Sequence, residues 1–420
     1  MPLDTTSHHR IALVGTGHRG TGMWGKELLS RVGDQVDLVG LCDLNTMRAH
    51  RAQRAISTNA PVFGDFGEML RVTRPQTVMV CTRDDTHDDL IVQALESGCD
   101  VITEKPMATT AEKCRRILEA EARTGRRVNV AFNYRYAPFG AKVKELLLSG
   151  VIGDIVSVDF HWYLNTRHGS DYFRRWHAYQ RNSGSLFVHK ATHHFDLLNW
   201  YIADEPEEVF ANGTLRHYGR NGPFRGPRCK ICPHAAECDF HIDIGADPWL
   251  DMLYEEPSAE DGYVRDACVF REDIDIYDTM STSIMYRNGV QVSYSLNACM
   301  PIEGHHLAFN GRKGRIEMKH VETDPFGVPE VDEIRVMPNF GKAEIVTVPR
   351  EHGGHFGGDR RLQAMLFDPT MPDPLHQRAG ARAGAISVLT GVASVESVKT
   401  GRPVRLAGLL EPQPEPMPAV

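Results

Sequence analysis

Short apolar runs separated by helical periodicities fill the first third of the chain. Residues 11–14 form an apolar run, followed by a glycine-rich turn and a helical pattern through residue 31. Apolar runs return at 36–42, which ends at Asp43, and at 77–81, 101–102 and 128–132. Helical spacing covers 88–97, stopped by Gly98, and 110–123. Strands alternating with helices predict βαβ units and a parallel, doubly wound sheet. After Gly150 the period changes. Residues 155–163, 280–286, 290–296 and 333–336 alternate apolar with polar, so each predicts a strand with one wet face. Strands in succession with few intervening helices predict an α+β part with a large, open, mainly antiparallel sheet. One helix is expected early in it, at 191–201. The stretch 218–270 is rich in Pro, Gly, Cys and acidic residues and reads as an irregular insertion. Residues 411–420, with four prolines, read as a loose tail.

Length agrees with this division. At roughly 150 residues per domain, 420 residues suggest more than one core. The expected fold class is α/β: a Rossmann unit over 1–132, then an α+β unit over 133–420 that carries the insertion. A hydrophobic fraction of 41% with 24% charged residues excludes wholesale disorder. Forty-seven basic against 55 acidic residues leave a net charge of −8, which gives no general attraction for nucleic acid or an anionic membrane. No run approaches the roughly 18 apolar residues of a membrane span, and the first ten residues lack the apolar core of a secretory signal, so a cytoplasmic protein is expected.

The cysteines divide in two. Cys42, Cys81, Cys99, Cys114 and Cys299 are scattered, several in apolar runs where a thiol is usually a small buried hydrophobe. Cys229, Cys232 and Cys238 form C-x2-C-x5-C, with Cys268 as a distant fourth, a set that suits structural zinc. An iron–sulfur cluster, free thiols or disulfides are the alternatives, and His234 and His241 are alternative ligands.

Gly15-Thr16-Gly17-His18-Arg19-Gly20 is G-x-G-x-x-G between an expected strand and an expected helix. Gly15 permits the tight turn, Gly17 lets backbone approach a pyrophosphate, and Gly20 lets helix and strand pack closely. The loop places His18 and Arg19 beside the nucleotide. Asp43 follows at the end of the second strand, where a carboxylate accepts from ribose hydroxyls and repels a 2′-phosphate, favouring NAD; Arg48 nearby keeps NADP as the alternative. Thr82-Arg83-Asp84-Asp85-Thr86-His87 and Glu104-Lys105-Pro106 follow apolar strands and are expected at the carboxyl edge of the sheet, where ligands bind, with Thr82 and His87 beside the cofactor. Lys105 there can polarise a substrate oxygen, or be an ordinary surface lysine.

These motifs, with Asn133-Tyr134-Arg135-Tyr136, a histidine-rich helix and the closing residues 397–404, resemble the Gfo/Idh/MocA family, named for glucose–fructose oxidoreductase and inositol dehydrogenase. The resemblance spans nearly the whole chain. It implies an N-terminal NAD(P)-binding domain, with Asn133 at the cofactor edge, and a C-terminal α/β domain whose open sheet joins subunits into a dimer or tetramer. It also implies sugar, glycoside or cyclitol substrates.

The densest chemistry lies in residues 183–196, where His189, His193 and Asp196 are spaced i, i+4, i+7 and a helix would put them on one face. By resemblance His193 matches the family's catalytic histidine and Asp196 its second acidic position, whereas His189, with Lys190 beside it, stands where an aspartate is common. Histidine suits removal of a hydroxyl proton near neutral pH. Lys105, His189, His193 and Tyr136 form the expected acid/base set, which is more than one hydride transfer requires. That surplus favours a redox-neutral glycoside hydrolase: oxidation at C3 of a pyranoside, elimination of the aglycone, water addition, then reduction. An ordinary sugar or cyclitol dehydrogenase and a non-catalytic nucleotide sensor are the alternatives. Arg135, Trp162, Arg167, Tyr172, Arg174, Trp176, Lys190 and His194 are the expected substrate contacts. Aromatics stack on sugar faces and arginines clamp anions, so an anionic sugar such as a sulfoquinovoside is conceivable. The alternative is that residues 161–181 form a solvated or subunit-contact segment.

Overall fold

The computed structural model describes residues 8–410. The expected loose tail at 411–420 lies outside the described residues, as do residues 1–7. Strands β1 (His9–Val14), β2 (Val36–Cys42), β3 (Val62–Phe63), β4 (Thr77–Val80), β5 (Asp100–Thr103) and β6 (Val128–Val130) form one all-parallel sheet, ordered β3-β2-β1-β4-β5-β6. The order reverses between β1 and β4, so the crevice at their carboxyl ends is where a doubly wound sheet takes its ligand.

Local chemistry sets the helix boundaries. Asn45, Asp65 and Thr110 each accept a backbone N–H at the start of Thr46–Ile56, Phe66–Thr73 and Ala111–Thr124. Gly125, at φ 68°, closes the last of these. The helix after the glycine loop differs from a plain α-helix. It begins as a widened π-type stretch, Gly20–Glu27, before Leu28–Val32, and its buried Trp24 donates from Nε1 to Glu104 Oε1 at 2.9 Å.

The second sheet has nine strands: β7 (Ile155–Asn165), β8 (Pro206–Thr214), β9 (Thr279–Tyr286), β10 (Gln291–Met300), β11 (Glu303–Gly311), β12 (Gly314–Thr323), β13 (Val331–Pro338), β14 (Glu344–Pro349) and β15 (Val404–Arg405). Their order is β14-β13-β12-β11-β7-β10-β9-β8-β15, antiparallel except for β7 with β10. Alternation survives in β9, which buries Met280, Thr282, Ile284 and Tyr286 and exposes the residues between. The buried face packs on the helix Ala191–Ile202.

Two later segments tie the halves together. The helix Ala381–Thr400 contributes Ala381, Ala385 and Val388 to the core beneath the parallel sheet, and Ile386, Leu389 and Ala393 to the core of the mixed sheet. The insertion 218–270, irregular as its composition suggests, folds back onto the parallel-sheet half. There Asn45 Nδ2 donates to Pro257 O at 2.7 Å and Arg48 pairs with Asp261 at 2.7 Å.

Candidate active site

The glycine loop can be built only as written. A Cβ at Gly20 would sit 2.0 Å from Gly15 O, and Gly15 itself, at φ 90°, approaches the Cys81–Thr82 peptide so closely that a Cβ would fall 2.5 Å from it. Asp43 stands beside this loop. Its Oδ2 accepts from Thr16 N–H at 2.8 Å and from the Thr16 hydroxyl at 2.9 Å, and its Oδ1 accepts from Asn45 N–H at 2.9 Å. The backbone N–H of His18 donates to the hydroxyl of Tyr254 at 2.8 Å, an oxygen placed where such loops hold a phosphate oxygen. The close-packed glycine backbone and the placement of Asp43 fit a dinucleotide.

From this loop a cavity of about 390 Å³ runs to the histidine segment. The carboxyl ends of β4 and β5 supply Thr82, Asp84, Glu104 and Lys105, and the segment before the helix Ala191–Ile202 supplies His189 and Lys190, with His193 in that helix's first turn. Lys105 Nζ donates to the His189 carbonyl at 3.1 Å, which joins the two halves across the cavity. Burial lowers the Lys105 ammonium to about 8, with Asp84 opposing the shift and Lys190 reinforcing it. His189 Nδ1 lies 2.5 Å from Asp84 Oδ2, a buried aspartate–histidine dyad. Burial, then the nearby Lys105 and Arg175, hold His189 well below its ordinary value, while burial raises Asp84. His193 is likewise kept neutral by burial and by Lys105 and Lys190, and its Nδ1 has no hydrogen-bond partner.

The remaining expected residues divide by where their side chains go. Glu104 and Arg19 line the cavity but pair with each other at 2.8 Å, and Arg19 also reaches Asp359 at 2.9 Å. Although burial opposes it, Arg19 draws the Asp359 carboxyl far down. Asn133 donates from Nδ2 to Asp359 at 2.6 Å and keeps its Oδ1 unpartnered at the cavity wall. His87 is fixed between Pro106 O and Thr82 O. Tyr172 and Trp176 face the cavity and pack edge-on against the His189 ring, with centroids at 5.4 and 5.7 Å.

Seven expectations need correction. Tyr136 is not in the cavity; it packs into the core of the parallel-sheet half with its hydroxyl unpartnered. Arg135 is buried in a two-pronged pair with Asp196, at 2.7 and 2.6 Å, so neither meets substrate. The helical face shared by His189, His193 and Asp196 is therefore broken. His189 ends the short helix Leu186–His189, and Asp196 turns toward Arg135. Trp162 and His194 are fully buried, stacked on each other at 4.0 Å, and His194 Nδ1 meets Tyr294 Oη at 2.8 Å. Arg174 reaches Cys229 Sγ at 3.4 Å, and with Arg167 it lines an adjoining groove.

Of the other wall residues, only Asp84 carried a sequence expectation, as part of the stretch from Thr82 to His87. Asp84, Asp171, Arg265, Tyr254 and His355 come from four separate stretches of chain. Asp171 is held low, to about 2, by Arg175 and Arg265 against its own burial. Arg265 leaves Nη1 buried without a partner. Asp171, Arg265, Tyr254 and His355 follow no motif along the chain, and only the fold brings them together.

Cys229, Cys232, Cys238 and Cys268 line one small cavity together with His241, and all nine cysteines are free thiols. Among the described residues, no three or more ligand side chains stand in an arrangement ready for a metal ion. Cys229 Sγ is taken by Arg174, and Cys268 Sγ accepts the Phe270 N–H at 3.4 Å. Among the described residues no helix is long and apolar enough to cross a membrane.

Comparison with known proteins agrees with this geometry. Residues 9–132 match the model for the oxidoreductase family's NAD-binding Rossmann fold, and residues 144–406 match its C-terminal alpha/beta domain. A Bacillus subtilis protein classed as an oxidoreductase, YteT, is 38% identical over 96% of this chain and 99% of its own length. The inositol 2-dehydrogenase of Rubrobacter xylanophilus is 34% identical over 48% of this chain and 55% of its own. The WlbA dehydrogenase of Bordetella pertussis, solved with NADH and UDP-GlcNAcA, shares the fold at a TM-score of 0.65. It is 18% identical and covers 95% of this chain and 99% of its own. With both of its parts matched along nearly the full length, the chain belongs to the Gfo/Idh/MocA family of NAD(P)-dependent oxidoreductases.

Proposed function

We propose that the protein oxidises a secondary hydroxyl on a sugar or cyclitol ring, using NAD. The observation that carries this is the convergence of Lys105, His193 and the Asp84–His189 dyad on one cavity that continues from the glycine loop. When bound, the nicotinamide takes hydride from the carbinol carbon. The chain's own groups handle the oxygen and its proton. Lys105, as an ammonium, polarises the substrate oxygen, and neutral His193 accepts the hydroxyl proton. Arg175 and Arg265 line this cavity beside His189, whereas Arg167 and Arg174 do not, and the unpartnered Nη1 of Arg265 supports an anionic group on the ring.

A second reading, redox-neutral glycoside hydrolysis, has a specific observation in its favour. Hydride transfer needs one acid/base, and the Asp84–His189 dyad is a second. A C3 ketone acidifies the C2 proton; His189 removes it, and the C1 aglycone leaves with a proton as its alcohol. Water then adds at C1 and hydride returns to C3, so no cofactor is consumed. Nitrophenyl glycosides with catalytic NAD separate the readings. Stoichiometric NADH without nitrophenol marks a dehydrogenase, nitrophenol without NADH marks the hydrolase, and neither, across neutral and anionic sugars, overturns both.

We also propose that Cys229, Cys232, Cys238 and Cys268 bind structural zinc, as their shared cavity supports. Protein purified without added metal should hold about one zinc per chain; elemental analysis showing none overturns this. The open sheet supports assembly of a homo-oligomer, and a monomer by sedimentation would exclude it.

A further inference from the structure

Arg48 lies just beyond Asp43, where an arginine in a Rossmann fold can receive the 2′-phosphate of NADP. In this chain it is already engaged. Nη2 pairs with Asp261 Oδ2 at 2.7 Å, Nε donates to Leu253 O at 2.9 Å, and Nη1 lies 3.3 Å from Asp43 Oδ1. The neighbouring donors are taken as well. Glu260 Oε1 accepts from Thr46 N–H at 2.8 Å and from the Thr46 hydroxyl at 3.1 Å, and Glu260 Oε2 accepts from Met47 N–H at 2.9 Å. These N–H groups open the helix Thr46–Ile56, where an anion gains most from unpaired backbone donors.

Both carboxylates come from the insertion, Glu260 standing 214 residues along the chain from Thr46. The segment is anchored around them, Pro257 by Asn45 and Glu256 by Arg51. We propose that Glu260 and Asp261 are specificity-determining residues for the dinucleotide, occupying the subsite a ribose 2′-phosphate would need and committing the protein to NAD. A phosphate entering there meets two negative charges and finds the Thr46, Met47 and Arg48 donors already satisfied. An uncharged 2′-hydroxyl needs only Asp43. The discrimination arises from repulsion and occupied donors, not from a missing cation.

The inference rests on the family's dinucleotide binding and is independent of which sugar is oxidised. Its test is calorimetric binding of NAD and NADP without sugar, in the intact protein and in Glu260→Gln and Glu260→Gln/Asp261→Asn. Removing the charges should narrow the NAD-over-NADP affinity ratio by about tenfold or more, mainly through tighter NADP. Because Glu260 is exposed, the native ratio should also shrink as salt rises. An unchanged ratio in both variants, or equal loss of both nucleotides as a merely structural role would give, overturns the proposal. The single variant, at an exposed side chain, guards against loss of the fold in the double one. Failure of the native protein to bind either nucleotide would instead overturn the cofactor assignment itself.

Discussion

His193 and His194 are neighbours in one helix, yet they belong to different regions of the molecule. His193 lines the cavity with Lys105, and each of the two rings leaves one nitrogen unpartnered. His194 turns toward the mixed sheet, stacks between Trp162 and the sheet core, and bonds Tyr294. The same side chain lines a cavity at one position and serves as packing at the next. Composition alone does not separate them, because about 100° of helical rotation per residue places adjacent positions on different faces.

Substitutions separate the two faces of the helix. The largest effect is expected at Lys105, which both regions of the cavity share. Lys105→Met should lower kcat by about 10³-fold or more with the fold intact, and steady-state kinetics beside circular dichroism would check it. His193→Gln should cost about 10²-fold in kcat with little change in melting temperature. His194→Ala should do the opposite: about 2 kcal/mol or more of stability lost in urea unfolding, since it strands the Tyr294 hydroxyl and empties the Trp162 stack, with kcat within a few-fold. If both histidine variants behaved alike, the division into two faces would fail.

Asp84→Asn sharpens the picture further. It removes the carboxylate that orients His189, so a loss of about tenfold or more is expected in aglycone release if the second reading holds, and a smaller one in NADH formation. The pH dependence follows from Lys105. Acting as an ammonium lowered to about 8, it should lose activity as pH rises through that value, and Lys105→Met should abolish that limb. Stability runs the other way. The unfolded chain binds this proton more tightly, so the folded state is penalised below about 8 and gains stability from there up to the lysine's ordinary range. The smallest effect is expected at Tyr136→Phe, within about twofold in kcat, because its hydroxyl meets neither cavity nor partner.

Much of the nucleotide half was legible along the chain because its signals are local. Alternating runs, the glycine loop and Asp43 lie within consecutive residues, and each reports its own conformation. The meeting of Lys105, His189 and His193 at one cavity was legible in part, since groups that follow apolar strands of a parallel sheet gather at its carboxyl edge. Their partners were not. Asp84 meets His189 across 105 positions, and Arg135 meets Asp196 across 61, so their pairing depends on how two sheets face each other. Period and composition carry no record of that. The insertion was legible as irregular, but its docking on Thr46 and Arg48 depends on side-chain contacts over more than two hundred residues.

The helix Ala381–Thr400 carries strain between the two cores. It wedges between both cores, and Gly391 lies so close to the Phe187 carbonyl that a Cβ would fall 2.3 Å from it, while Ser387 meets the hydroxyl of Thr192 at 3.0 Å. The segment bearing His189 and His193 therefore leans on a helix that both cores share. A larger side chain at Gly391 or Ser387 would reach the cavity wall and both cores at once, although neither residue touches the cavity.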